Sequence, residues 1–500
     1  AEVAASAAAM LGQTYPSEKL EEAWKLMLFN QFHDILPGSS IAPVYEDADG
    51  DYQRAFEIIS GVTSDALKAI ASQADTMGEG KAHMVFNPLP WERTDIVEIE
   101  TGANAVRLTD CEGMALAFQR VAGAPGRVAV LVTVPPCGWT IIRAVSGEHS
   151  GGGPIAETSG RKLQTPLISA EFNRFGQLSR MVDLHAGRDV FTPGEAGNRL
   201  ILAEDIPVEY EAWDIEEWIN DKTREVRELE SFEVVENGPV RAVVRLAWKA
   251  GKSTITQRVS FYGHTRRVDF STLVDWRERK TMLKAVFPLA VRSRRATYEI
   301  QFGAIDRSTQ ESNPWDWARF EVAAQKWADL SQADYGVSIL NDSKYGYDTK
   351  GSVMRLSLLR SPECPDPEAD QGLHAFTYSV LPHRGSWQAG STVAEAQELN
   401  IPLMTAAAAS APGPLPSEGW FFKIEAEDGA PVILSALKKC EDGKGFVARM
   451  YEPHGRNARV TVSTPFAVKA AASVNILEDE KASLRHRSSG VTVELGPWKI

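Results

Sequence analysis

The sequence changes its pattern near residue 80, and this change constrains the fold more than any other feature. Upstream, apolar residues recur at the helical spacing that predicts one buried face, as at Leu20, Ala23, Trp24, Met27 and Leu28. Downstream, short stretches rich in β-branched residues alternate with turns containing Gly, Pro and Asp, and no βαβ alternation interrupts them. The pattern therefore predicts an α+β, predominantly β chain, with an N-terminal helical bundle segment followed by antiparallel β-sandwich domains.

The length predicts several domains, because 500 residues exceed what one compact core usually holds. We expect a helical segment over 1–78, a small β-sandwich over 79–150, a large β-sandwich over 160–403 and a C-terminal β domain over 419–500. The Gly-rich stretch 146–160 and the stretch 404–418, rich in Ala, Ser and Pro, are predicted to connect domains. The Ala-rich first ten residues resemble the end of a helix, so we expect the natural beginning of the chain to lie upstream.

Charge and composition narrow the possible partners. A net charge of −14 argues against nucleic-acid binding and disfavours attachment to anionic membranes. No apolar run approaches the length of about 20 residues that spans a bilayer. The four cysteines are far apart and form no compact ligand spacing, which favours a reducing, cytoplasmic location. Thirteen tryptophans are present, and we expect most of them in the core.

The stretch 31–40 ends the amphipathic helix predicted from Ser17 to about Phe32. Pro37 and Gly38 cannot continue a helix, so His33 and Asp34 are predicted to lie side by side where a packed helix meets an irregular loop. Such a position suits a ligand or a metal, because the helix fixes it and the loop leaves an approach open. The alternatives are a helix-terminal His with an ordinary hydrogen bond and an Asp that only forms a turn.

A second candidate is the pair Trp213 and Asp214. An aromatic platform beside a carboxylate can bind sugars through stacking and hydroxyl hydrogen bonds. The alternative is a core tryptophan followed by a turn-forming Asp. By contrast, His374 and His383 are predicted to be hydrogen-bonded histidines within strands.

The run 26–40, LMLFNQFHDILPGSS, closely resembles the motif that ends the zinc site of family 38 glycoside hydrolases, the α-mannosidases. Other stretches resemble the same family in the same order, and some match its cytosolic-type branch. These include Val85–Thr94, Asn198–Asp214, Asn341–Asp348 and Tyr378–His383. One departure is visible: members of this branch often carry a His shortly before the Trp at 327, where this chain has Gln325 and Lys326.

The resemblance implies a helical middle domain and β-sandwich domains without the N-terminal catalytic domain. By resemblance, His33 is a zinc ligand and Asp34 contacts sugar hydroxyls, while the nucleophile and the acid/base lie upstream, so this chain carries no catalytic residue. The parent protein would be a zinc-dependent retaining α-mannosidase acting on mannose-containing glycans. Since zinc needs three or four ligands and only one credible ligand is present, we expect the Zn²⁺ site to be incomplete and the isolated chain to be inactive.

A different class of function also fits the sequence. The chain could be a carbohydrate-binding or assembly module of β-sandwich type, without catalysis of its own. In either case, the surface that would meet the missing N-terminal domain could pair with another chain, and a homo-oligomer would then form.

Overall fold

The computed structural model describes residues 1–101, 105–146 and 152–500. The predicted connection over 146–160 lies partly outside these residues, at 147–151. The chain forms two compact units: one comprises residues 1–27, 52–153 and 401–500, and the other comprises residues 28–51 and 154–400. No helix in the described part of the chain combines the length and the apolar character needed to cross a bilayer. The division into four domains stays a prediction.

Three helices precede the strands, and their bounds are Glu2–Met10, Ser17–Phe29 and Ala42–Ala71. The second helix ends three residues before the predicted Phe32. Its apolar face is only partly buried: Leu20 and Ala23 are buried, but Trp24 is exposed. The prediction of one fully buried face was therefore wrong, because no described residue covers its outer part.

In the first unit, the strands between residues 81 and 146 belong to two sheets. One sheet has five strands: Met404–Ala408, Lys81–Asn87, Gly138–Ser146, Glu418–Trp420 and Ala105–Thr109. The other has three: Arg93–Glu100, Arg127–Val134 and Phe118–Arg120. Because Met404–Ala408 pairs along Lys81–Asn87, the prediction that 404–418 is only a connection was wrong. Its Ala side chains are small enough to lie in a sheet when the partner strand supplies the hydrogen bonds.

The C-terminal strands of this unit form a four-stranded sheet and two hairpins. The sheet consists of Lys423–Ala426, Ala458–Ser463, Gly490–Leu495 and His486–Arg487. The hairpins pair Ile433–Lys439 with Phe446–Tyr451, and Ala472–Val474 with Glu480–Ser483. Phe421, Leu437 and Val460 are buried in the same apolar cluster as Met84 and Trp139, so these strands share a core with the five-stranded sheet.

The second unit is built around one large apolar core with three sheets. A nine-stranded sheet runs in the order Glu228–Asn237, Arg241–Ala250, Ser253–Tyr262, Val268–Trp276, Gly372–Arg384, Tyr335–Asn341, Trp327–Ser331, Arg295–Ile300 and Gly303–Ser308. A six-stranded sheet runs in the order Thr223–Glu225, Arg199–Glu204, Thr281–Pro288, Val353–Leu359, Gly346–Lys350 and Val322–Ala323. A five-stranded sheet consists of Arg188–Asp189, Leu178–Asp183, Ile168–Phe172, Lys162–Gln164 and Glu157–Ser159.

Short helices at Pro314–Trp317 and Thr392–Asn400 and a 3₁₀ turn at Glu217–Asn220 complete this unit. Every ladder between the strands named above is antiparallel, as in the pairing of Arg241–Ala250 with Ser253–Tyr262. The predicted class, α+β and predominantly β with antiparallel sheets after a helical segment, is confirmed.

Candidate functional site

The helix Ser17–Phe29 ends in a series of tight turns that present His33 and Asp34. The amides of Gln31, Phe32 and Ile35 each donate to the carbonyl three residues earlier, at 2.9 to 3.2 Å. The turn at Gly38 needs a positive φ of 81°, which glycine adopts without strain. Upstream of the turns, the buried Asn30 side chain donates to the Asp51 carboxylate at 3.0 Å and anchors this end of the helix.

His33 and Asp34 lie beside each other in the open part of this loop. The His33 Nε2 atom is 3.5 Å from an Asp34 carboxylate oxygen, and the two side chains are 71% and 51% exposed. The His33 ring contacts the Phe32 ring at a centroid distance of 4.3 Å. The structure therefore brings the two predicted residues together and leaves both open to a ligand.

Tyr45 closes this loop from the next helix. Its hydroxyl accepts from the Ser40 amide at 2.8 Å and reaches the Asp34 carbonyl at 3.5 Å. Burial raises the pKa of Tyr45, and the carboxylates of Asp366, Asp370 and Asp34 raise it further. The segment around Asp366 and Asp370 therefore lies near the His33 loop, a proximity that no sequence pattern indicated.

Trp213 and Asp214 lie in an exposed turn of the same unit. Their amides both donate to the Tyr210 carbonyl at 2.8 Å, and the Arg360 guanidinium donates to the Asp214 carbonyl. Trp213 is 59% exposed, so the alternative of a core tryptophan does not hold. Among the residues that the structure describes, the Asp214 carboxylate accepts only from the adjacent Ile215 amide, at 3.1 Å.

The segment 360–371 joins the surroundings of both candidate pairs. Glu211 accepts from the Glu363 amide at 2.9 Å and from Lys280 at 2.7 Å, which ties the Trp213 turn to this segment. At its other end, burial raises the pKa of Asp370, and the charges of His374 and Lys344 oppose that rise. Sequence reasoning missed Glu211 and Asp370, because only the pairing of distant strands brings them here.

The donor set does not by itself fit a zinc ion. Zinc in proteins takes about four ligands, three of them from the protein even at a catalytic site. His33 and Asp34 offer two, and no group of three or more His, Cys, Asp or Glu side chains that could hold a metal occurs in the described ranges 1–101, 105–146 and 152–500. Any metal bound by His33 would need donors from other residues.

Two further histidines and the position before Trp327 have structural partners. His374 Nε2 lies 2.8 Å from the Asp370 carbonyl, and His383 Nε2 lies 2.8 Å from the Asp329 carboxylate, so the prediction of hydrogen-bonded strand histidines is confirmed. At the position where the sequence departs from the family pattern, Lys326 forms an ion pair with the buried Glu299 at 3.2 Å. That position holds two strands together here.

Large apolar side chains surround the His33 loop and face solvent. Within fourteen residues, five such side chains are each more than half exposed: Leu28, Phe29, Phe32, Leu36 and Ile41. Such a density of exposed apolar side chains is typical of a surface that another domain or chain covers.

Comparison with known families gives three matches along the chain. Residues 1–70 match the α-mannosidase middle domain, residues 163–368 match the glycosyl hydrolases family 38 C-terminal domain, and residues 431–500 match the family 38 C-terminal β-sandwich domain. The matches occur in the order that the sequence motifs predicted.

Curated relatives include α-mannosidase 2C1 of Mus musculus, which is 31% identical over 97% of this chain and 45% of its own length. α-Mannosidase G of Dictyostelium discoideum is 30% identical over 97% of this chain and 48% of its own length. The chain thus spans about half the length of the curated relatives it matches. The crystal structure of an α-mannosidase from Enterococcus faecalis V583 has the same fold, with a TM-score of 0.84 and 16% identity over 99% of this chain and 64% of its own.

Proposed function

Since this chain carries the middle and C-terminal domains of glycosyl hydrolase family 38, we propose that the protein is an α-mannosidase whose active site is completed by residues outside this sequence. The observation that carries the proposal is the exposed His33–Asp34 pair, which has no other charged partner within the described residues. These two side chains lie at a helix end and are exposed, so they can bind a ligand.

His33 is proposed as one ligand of a composite zinc site, and Asp34 as a contact to sugar hydroxyls. Zinc, when bound, would act as a Lewis acid toward the hydroxyl oxygens of the sugar. The tight turns after Phe29 and the Tyr45 contact hold the backbone of the loop, so His33 and Asp34 are presented from fixed backbone positions. Retaining hydrolysis also requires two carboxylates that flank the scissile bond, and these would come from the remainder of the protein.

The exposed apolar side chains around the His33 loop are proposed to pack against that remainder. Burying an apolar side chain of this size stabilises an interface by about 1.5–3 kcal/mol, so five of them would hold a domain firmly. The same surface could pair with a second copy of the chain when the upstream domain is absent. Without the upstream domain we expect no catalysis.

Trp213 and Asp214 are proposed to bind an outer part of a mannose-containing glycan. An exposed indole offers a face for sugar C–H groups, and an open carboxylate accepts hydroxyl hydrogen bonds. The cysteines are unpaired, which supports a reducing, cytoplasmic location.

The test compares the full-length protein with its His33→Ala variant, measuring bound zinc and hydrolysis of an aryl α-mannoside. We expect the variant to lose both. His486→Ala is the matched control, because His486 is also exposed and lies in the C-terminal sheet. Unchanged metal content and activity in His33→Ala would refute the proposed role of His33.

The second candidate function is a glycan-binding or assembly module, which the exposed Trp213 favours. Hydrolysis by the full-length protein separates the two functions. A full-length protein that binds mannose-containing glycans without hydrolysing any α-mannoside would support the module. Hydrolysis by the 500-residue chain alone would contradict both.

A further inference from the structure

A cavity of about 380 Å³ opens on the second unit, and its lining includes neither of the two candidate pairs described above. It lies between the edge strand Gly303–Ser308 and the short helix Pro314–Trp317. Its walls carry four arginines, Arg294, Arg295, Arg307 and Arg319, against two aspartates, Asp306 and Asp316. Four arginines against two aspartates leave the cavity with an excess of positive charge, in a chain whose net charge is −14.

The walls of this cavity are held by backbone hydrogen bonds. The strands Arg295–Ile300 and Gly303–Ser308 pair in register, with Arg295 opposite Ser308. Beyond the strand end, the Thr309 amide donates to the Arg294 carbonyl at 3.1 Å. On the other side, the Asn313 side chain caps the short helix by accepting from the Trp315 and Asp316 amides. The arginines are therefore presented from fixed backbone positions.

The two aspartates already have partners, but the guanidinium groups of Arg294 and Arg319 do not among the described residues. Asp306 accepts from the Thr297 hydroxyl at 2.7 Å, and its carboxylate lies 3.9 Å from the Arg295 guanidinium. Asp316 accepts from the side-chain amide of Asn313 at 2.8 Å. The guanidinium groups of Arg294 and Arg319 form no ion pair or hydrogen bond within the described part of the chain.

Arg307 adds an unsatisfied donor to this excess of positive charge. Its Nε atom is buried and has no hydrogen-bond acceptor among the described residues. Its guanidinium carbon lies 6.0 Å from the centre of the Tyr298 ring, which supports it from one side. A buried N–H without an acceptor costs stability, so an anion that accepts from it would remove a penalty as well as add an attraction.

We propose that this cavity, which we call the arginine pocket, binds a phosphorylated monosaccharide. Planar guanidinium groups match phosphate oxygens with paired hydrogen bonds, better than any other side chain. Ile305 adds an apolar wall, and the volume lies in the range of small-ligand sites. The proposal does not depend on the α-mannosidase activity, and neither fails with the other.

The test is isothermal titration calorimetry on the 500-residue chain with mannose 1-phosphate, inorganic phosphate and uncharged mannose. We expect the ester to bind more tightly than inorganic phosphate and mannose to show no binding. Arg319→Gln and Arg294→Gln should each weaken binding of the ester at least about tenfold, since a charge-assisted hydrogen bond contributes about 1.5–3 kcal/mol. A higher salt concentration should also weaken binding of the ester to the unchanged chain, because salt screens the attraction between the arginines and the phosphate.

The control is Arg277→Gln, which removes an exposed arginine of the same unit whose partner is Asp275. Circular dichroism melting checks that all variants fold, as expected because Arg294 and Arg319 are exposed. Equal affinity for the ester and inorganic phosphate would overturn the sugar part of the proposal. Absence of binding, or binding that survives Arg319→Gln and Arg294→Gln, would overturn the site itself.

Discussion

Two pairs of histidine and aspartate in the second unit have similar chemistry and opposite surroundings. His33 lies 3.5 Å from Asp34, with side chains 71% and 51% exposed. His383 lies 2.8 Å from Asp329, with side chains 0% and 1% exposed. In the second pair, Asp329 also accepts from Ser338 at 2.8 Å and from Ser331. A His–Asp pair therefore indicates a binding site only when its remaining donors and acceptors are left open.

The neighbouring glycines show how tightly the buried pair is enclosed. A side-chain carbon at Gly336 would lie 2.3 Å from the His383 ring, and one at Gly390 would also lie 2.3 Å from it. No ligand can approach this ring, so the pair can only stabilise the sheet. The exposed pair, His33 and Asp34, makes few contacts that stabilise the fold, and its polar atoms are open to solvent.

Asp329→Ala should show the largest effect on stability. The change removes the common acceptor of the buried His383, the buried Ser338 and the half-buried Ser331, and His383 Nε2 is left unsatisfied at a cost of about 1–3 kcal/mol. We expect the free energy of unfolding to fall by about 3–5 kcal/mol, the range for breaking a buried pair. Urea unfolding of the 500-residue chain measures this loss. A decrease below about 1 kcal/mol would mean that the network is not structural.

A third histidine, His83, extends the comparison to a ring buried without a carboxylate. Burial lowers the pKa of His83 from 6.5 to about 4, and its Nε2 atom has no hydrogen-bond partner among the described residues. Between these two pH values the unfolded chain binds a proton that the folded chain does not. Stability is therefore complete above pH 6.5 and falls as the pH drops toward 4, by up to about 1.4 kcal/mol per pH unit.

Unfolding experiments at pH 7 and pH 5 measure this loss. His454 contributes in the same direction, because burial also lowers its pKa to about 4. His83→Gln should remove only the part due to His83, so the pH dependence should become shallower without vanishing. An unchanged pH dependence in this variant would show that His83 is protonated as easily in the folded chain as in the unfolded one.

The local sequence pattern predicted the strands correctly. It did not predict which side chains other parts of the molecule bury. Short stretches rich in β-branched residues predicted strands after residue 80, and the structure has them, as at Ser253–Tyr262. Helical spacing predicted that Trp24 and Leu28 are buried, but both are exposed because nothing in the described residues covers them. The expectation that most of the thirteen tryptophans lie in the core was also wrong, because five are buried and six are exposed. The exposed ones are Trp24, Trp213, Trp218, Trp315, Trp317 and Trp498.

The candidate site divides in the same way. The adjacency of His33 and Asp34 is written in the sequence, so it could be predicted. Tyr45 reaches the loop from the next helix. Glu211 and Asp370 are brought near through the segment 360–371, which lies between two strands that pair with distant parts of the chain. The periodicity of apolar residues does not predict contacts between residues that are distant in the sequence. The arginine pocket was missed because its arginines come from three separate segments.

Trp213→Ala tests whether an exposed side chain outside the His33 loop contributes to glycan binding. If the exposed indole binds an outer sugar, its loss should raise the KM of the full-length protein for an oligomannoside about two- to twelvefold, since an aromatic contact contributes about 0.5–1.5 kcal/mol. The kcat should stay unchanged, and so should the KM for an aryl α-mannoside too short to reach it. Trp315→Ala removes a tryptophan that is more exposed than Trp213 and should change neither KM value. An unaltered KM for the oligomannoside would leave Trp213 without a role in binding glycans.

His33→Ala should have the smallest effect on stability, and this separates the two pairs. The His33 side chain touches Phe32 and Asp34 and is otherwise in water, so its loss should change the free energy of unfolding of the 500-residue chain by less than about 0.5 kcal/mol. His383→Ala, measured beside it, should lower that free energy by several times as much. Because both variants remove the same imidazole next to an aspartate, the difference reports only the surroundings. A loss above about 1 kcal/mol for His33→Ala would mean that His33 holds the loop together, and the exposed pair would then be a structural one as well.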